Sequence, residues 1–168
     1  MLILLAVSKY IVMVKLFLTC FLSICMISGS VERNIFYSAV SGDSVEQVDQ
    51  AIEKLEKIKK TPIVKAYIGA LYIKKAGFLK VPKEKLDVFK QGQELLDNEI
   101  QLQPNNVEMR FVRLMMQEQT PKVLNYKNNI NEDKKKIVQN FGKIDSELQA
   151  IIRDYAKTSK ILKPEELK

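Results

Sequence analysis

One junction, Leu102-Gln103-Pro104-Asn105-Asn106, constrains the architecture of this chain more than any other stretch. Proline lacks the N–H and the backbone freedom needed to continue the helix before it. Asn106 offers a side-chain oxygen to the first unpaired N–H groups of the helix after it. Two amphipathic stretches joined by so short a break form a helical hairpin, the unit of stacked-helix scaffolds. The expectation is an all-α domain of about six antiparallel helices, arranged as stacked hairpins or an irregular bundle.

Residues 1–30 differ from the rest, with no acidic residue and only Lys9 and Lys15 as charges. From Met13, an alternative start, Lys15 precedes an apolar run over residues 16–27 and then Ser28-Gly29-Ser30. A basic start, an apolar middle and a small-residue end are the three parts of a secretory signal peptide. Cleavage is therefore expected after Ser28 or Ser30, with export of the remaining chain. Two alternatives stand beside this reading. Residues 11–27 approach the lower length limit for a membrane anchor, although Lys15 interrupts them. Leu22-Ser23-Ile24-Cys25 also carries the leucine and serine of a lipobox, with bulky Ile24 where a small residue is usual, so lipid on Cys20 or Cys25 would tether the chain. Cysteine as apolar filler is the plainer account of both.

Beyond residue 30 the chain has no cysteine and a net charge of +5, because residues 1–30 hold two of its 27 basic and none of its 20 acidic residues. A domain of this size buries about two-thirds of its unfolded surface and needs no disulfide. The division expected is a leader over residues 1–30, an N-terminal segment over 31–43, a helical domain over 44–160 and a frayed tail over 161–168. The weak strand character in the chain falls at residues 34–40.

Helix signals dominate after Ser41. Asp43 or Ser44 can cap a first helix, and Ser44 with Gln47 has capping-box spacing. Val45, Val48, Ala51, Ile52, Leu55 and Ile58 then form one apolar stripe opposite Glu46, Gln50, Glu53, Lys57 and Lys60. Thr61-Pro62 ends it, and a second helix is expected over residues 63–79. Gly69 there suits a close helix crossing, and Gly77 the helix end. Pro82 opens a third helix whose inner face is read as Leu86, Phe89, Leu95, Leu96, Ile100 and Leu102. Residues 107–117 form a short fourth helix, buried on more than one side. Residues 119–130 read as loop, with Val123, Leu124 and Tyr126 packing it onto the body. Asn131 caps a fifth helix, and Asp145 or Ser146 a sixth.

The absent residues limit the chemistry. There is no histidine, so imidazole bases and the usual zinc sets are excluded, and no thiolate nucleophile exists beyond the leader. No Gly-rich phosphate loop, nucleophile elbow or dinucleotide fingerprint occurs. Ser146 with Lys143 and Glu147, or a carboxylate pair, could be nominated for hydrolysis, but a helix cap is the simpler role for Ser146. Neither catalytic residue, cofactor nor metal is expected.

Three clusters could bind a partner. Arg110 and Arg113, three residues apart, share a helix face and could clamp carboxylates; the plainer reading is an internal ion pair with Glu108, Glu99 or Glu118. Tyr67, Tyr72 and Lys74 could line a concave face, although tyrosine at this spacing also suits a core. Asp133-Lys134-Lys135-Lys136 reads as a solvated helix face.

Glu94 through Met115 resembles the second helix, turn and following first helix of tetratricopeptide repeats. Ala66-Tyr67-Ile68-Gly69-Ala70-Leu71-Tyr72 is similar to that family's packing helix. The chain departs from it in having no tryptophan, uneven spacing and the insert at residues 119–130. Met109-Arg110-Phe111-Val112-Arg113-Leu114, Asn125-Tyr126 and Asp133-Lys134-Lys135 also resemble segments of small exported helical proteins of Bacteroidota. The second resemblance implies an exported location in a bacterial periplasm or envelope and brings no activity with it. From the hairpin surface the expectation is a non-catalytic scaffold that binds another envelope protein, with membrane contact only through a retained N-terminus. Nucleic acid is a poor partner, since lysine and glutamate interleave.

Overall fold

Apolar residues recurring every three or four positions build each helix, and the computed structural model describes residues 28–168. The leader, anchor and lipidation readings of residues 1–27 lie outside the described residues. Among those described there are seven α-helices and no strand, so the chain is all-α. In order they are α1 (Ser28–Ser41), α2 (Val45–Lys57), α3 (Pro62–Phe78), α4 (Pro82–Leu102), α5 (Val107–Gln119), α6 (Ile130–Asn140) and α7 (Ser146–Ala156).

The segment over residues 31–43, read as an N-terminal segment outside the helical domain with weak strand character at 34–40, instead supplies most of α1. Phe36, Ala39 and Val40 are buried at helical spacing, which gives this segment the apolar face a helix needs. In α2, Val48, Ala51, Ile52 and Leu55 are buried, and the Ser44 hydroxyl accepts the Gln47 N–H. Asn106 and Asp145 likewise accept N–H groups at the starts of α5 and α7. The cap read at Asn131 is displaced: α6 begins at Ile130, after Asn129, without a side-chain cap bond.

The centre of the fold is α3, which packs against α1, α2, α4 and α5. Its most extensive contact is with α4, where Gly69 meets Gly92. A Cβ on Gly92 would lie 2.5 Å from the Gly69 carbonyl oxygen, so only glycine permits this approach. By contrast, α4 and α5 share less surface with each other than α5 shares with α6, despite the Pro104 turn that joins them. Leu86 and Leu102, assigned from periodicity to the inner face of α4, are exposed at 39% and 73%. They lie at the two ends of a helix whose buried side is Phe89, Gly92, Leu96, Glu99 and Ile100, midway along it.

The tail does not fray. Leu162 and Leu167 are buried, Pro164–Glu166 forms a 3-10 turn, and Glu166 pairs with Lys134 at 2.8 Å. Ser159 fixes the path by accepting the N–H groups of Ile161 and Leu162. Among the described residues, no helix is long and apolar enough to cross a membrane.

Candidate functional site

Charged side chains gather in three places, and each ties helices together. On α5, every residue from Val107 to Gln117 is buried, so the face shared by Arg110 and Arg113 turns inward. Both guanidinium groups close on Asp133, which is fully buried in α6. Arg110 Nη1 donates to Asp133 Oδ1 at 2.7 Å, and Arg113 donates through Nε and Nη2 at 2.7 and 2.8 Å. Arg113 also reaches Asp97 in α4, and Arg110 the carbonyl of Pro104. The two arginines read as partner-binding are thus occupied internally, with Asp133, Asp97 and Glu132 as counter-ions where Glu108, Glu99 or Glu118 were expected. Asp133 leads the charge run read as solvated; it is drawn inside, while Lys135 two residues on remains exposed.

The second cluster centres on Glu108. Arg33 of α1 grips it with two N–H donors at 2.8 and 2.9 Å, and Tyr67 donates its hydroxyl to it at 2.5 Å. Arg33 also reaches Asp145 and Glu147 at the start of α7. Tyr67 stacks on Phe36, with ring centres 4.3 Å apart. Burial, reinforced by the Glu108 charge, pushes the Tyr67 hydroxyl far above the ordinary tyrosine range. Tyr67 is therefore a core residue, not a surface one.

The third cluster is Glu118 of α5. Burial alone would raise its pKa, yet hydrogen bonds from Ser159, Tyr155 and the Lys160 N–H hold it below the usual range. These bonds fasten the tail to the body.

Tyr72 and Lys74 occupy separate settings on α3. Tyr72 flanks the α3–α4 crossing, where its Cβ would stand 2.8 Å from a Cβ on Gly92. Lys74 donates to the Val40 carbonyl, and its ammonium lies 5.8 Å from the centre of the Phe78 ring. The five residues nominated from sequence therefore do not converge on one surface.

What converges instead is a cleft of about 420 Å³ where the end of α3, the start of α4, the end of α5 and the following turn meet. Phe78, Phe89, Met116 and Leu124 supply its apolar lining, and Lys74 and Lys85 its charges. A larger groove, about 620 Å³, separates α1 from α2, but it is open and lined by polar side chains such as Asn34, Ser38, Gln47 and Gln50. A better-enclosed apolar cleft with a few polar groups is the more specific recognition surface.

The insert beside the cleft is held firmly. Tyr126 is buried edge-on to Phe89 and donates to Asp97 at 3.2 Å. Thr120 donates to the Met116 carbonyl, and Lys127 to that of Glu118. Asn125 takes a left-handed conformation, φ 48°, which asparagine tolerates better than most residues. The resulting Lys122–Leu124 turn leaves Val123 88% exposed, whereas the sequence pattern read it as packed. The cleft itself escaped the sequence reading because its lining comes from four separate segments.

Among the described residues no three carboxylate or thiol side chains group to hold a metal. The chain matches no family model, no curated protein and no solved structure.

Proposed function

We propose that this chain is a non-catalytic helical scaffold that binds another protein of the bacterial envelope or periplasm, carried there by its N-terminal segment. One observation carries this reading: the better-enclosed of the two clefts described above has apolar rings and two lysines, without a carboxylate in its lining. Its one hydroxyl, on Thr120, is already donated to the Met116 carbonyl. Such a lining suits contact with another macromolecule better than proton or acyl transfer. The interior charges support the same view, since Arg33, Arg110, Arg113 and Glu118 are consumed in holding helices together. The resemblance to tetratricopeptide-type hairpins belongs to this proposal as its expected lineage; fold alone does not specify a partner.

The test is photo-crosslinking in the producing cell, with the crosslinker placed in turn at exposed Gln50, Val123 and Lys135 and at half-buried Lys85 in the cleft wall. A discrete adduct with another envelope protein from at least one position is expected. Adducts from none of them would overturn the proposal.

A second reading has its own support. Because α1 begins at Ser28 and is clasped through Arg33, a retained N-terminal segment would hold the whole domain at a membrane as a tethered accessory protein. Mass spectrometry of the purified protein decides: a chain beginning near Val31 overturns tethering, and an intact or lipid-bearing N-terminus establishes it.

A further inference from the structure

We propose that the cleft between α3, α4 and α5, with the Val123 turn beside it, receives an acidic segment of the partner protein anchored by a large apolar side chain. This rests on the docking function proposed above and names where, and by what chemistry, docking occurs. The apolar part follows from Phe78, Phe89, Met116 and Leu124, whose volume of about 420 Å³ accommodates one or two side chains. The acidic part follows from the state of the lysines. On the same helix as Lys74, Lys65 pairs with Glu99 and Lys75 with Asp49. Lys74 and Lys85, both of which line the cleft, form no ion pair among the described residues, and Lys74 donates only to the neutral Val40 carbonyl. Asp43, the carboxylate whose charge bears on Lys74, stays outside ion-pair distance. Lys122 adds an exposed cation next to Val123. An apolar pocket whose lining carries uncompensated positive charge selects an anionic, apolar-anchored ligand.

Other occupants fit less well. In a symmetric dimer this face would meet itself and set Lys74 and Lys85 against their own copies, a like-charge contact. A membrane surface is engaged by a broad apolar face with many cations, whereas this site is concave and the exposed apolar residues nearest its lining in sequence, Val81, Leu86 and Val123, are single side chains. A peptide segment needs only the pocket, the cations and a firm edge. The clamped insert supplies that edge through Tyr126 and Thr120.

The experiment pans a library of short random peptides against the full chain and measures the affinity of the enriched peptides by fluorescence anisotropy. Enrichment of Asp and Glu around one large apolar residue is expected. Lys85→Glu and Gly77→Leu, which charges or fills a lining position without touching the core, should each weaken binding by about tenfold, about 1.4 kcal/mol. Lys85→Arg and the distant Lys54→Glu should leave it unchanged. Circular dichroism and melting checks each variant's fold. Enriched peptides without acidic bias, or insensitive to both cleft variants, would overturn the proposal. So would Lys85-dependent binding to vesicles rich in anionic phospholipid, or Lys85-dependent dimerisation, without peptide binding. If crosslinks arise only from Gln50 or Lys135, docking stands and this site falls; if none arise anywhere, both fall.

Discussion

The carbonyl oxygens of Gly69 and Gly92 each obstruct a Cβ on the other residue, at 2.5 Å and 2.8 Å respectively. Both obstacles are backbone, which cannot rotate away as a side chain can. Alanine normally improves a helix by about 1 kcal/mol over glycine. Here Gly69→Ala and Gly92→Ala should destabilise the fold by about 1–3 kcal/mol as α3 and α4 are forced apart. Gly77→Ala, with nothing within 4 Å, should stabilise it by about 0.5–1 kcal/mol. Urea unfolding followed by circular dichroism distinguishes the two signs.

Asp133 holds two arginines in a water-free setting. Asp133→Ala should cost about 3–5 kcal/mol, because two guanidinium groups would remain inside without their shared counter-ion. Glu132→Ala, next to it but half-exposed and bound only to Arg110, should cost about 1 kcal/mol or less. Denaturant midpoints of the two variants check this difference.

Five tyrosines, Tyr37, Tyr67, Tyr72, Tyr126 and Tyr155, have hydroxyl pKa values raised above the ordinary 10.0, in each case first by burial. A pKa raised in the folded state favours the protonated form there. The resulting stability is complete below pH 10 and is lost as pH climbs through the folded values. Tyrosinate absorbance should therefore appear together with loss of helical ellipticity on alkaline titration, not before it. Tyrosines ionising in a fully helical protein near pH 10 would contradict this.

Glu118 has the opposite sign. Its pKa lies below the ordinary carboxylate value of 4.5, so its contribution is full above that pH and fades as pH falls through the folded value. Glu118→Gln should lose about 1 kcal/mol at neutral pH, a figure discounted for partial exposure. The gap to the parent protein should close in acid, and protease trimming of residues 160–168 should quicken. Melting curves across pH 3 to 7, with limited proteolysis, report both effects.

Much of the helix order was legible because it depends on neighbours in sequence. The α2 stripe, the caps at Ser44, Asn106 and Asp145, and the crossing at Gly69 each arise from residues within a turn or two. What was not legible depends on distant partners. The inward turn of Asp133 looks, in sequence, like the lead of a solvated lysine run; only Arg110 and Arg113, 23 and 20 residues earlier, draw it inside. The tail looked loose because Glu118, which pins it, lies 41 residues before Ser159. The cleft could not be seen because Phe78, Phe89, Met116 and Leu124 share no local pattern. Gly92 was missed because it lies between polar Gln91 and Gln93, whereas Gly69 stands between Ile68 and Ala70 in an apolar run.

The clasp of Arg33 on Asp145 and Glu147 spans 112 and 114 residues. Such long-range closure is slow compared with helix formation. During synthesis α1 is made first, yet its ionic clasp must wait until the ribosome has delivered α7. Nascent chains halted short of Asp145 would keep this arginine without two of its counter-ions, inviting chaperone capture or degradation until translation is finished.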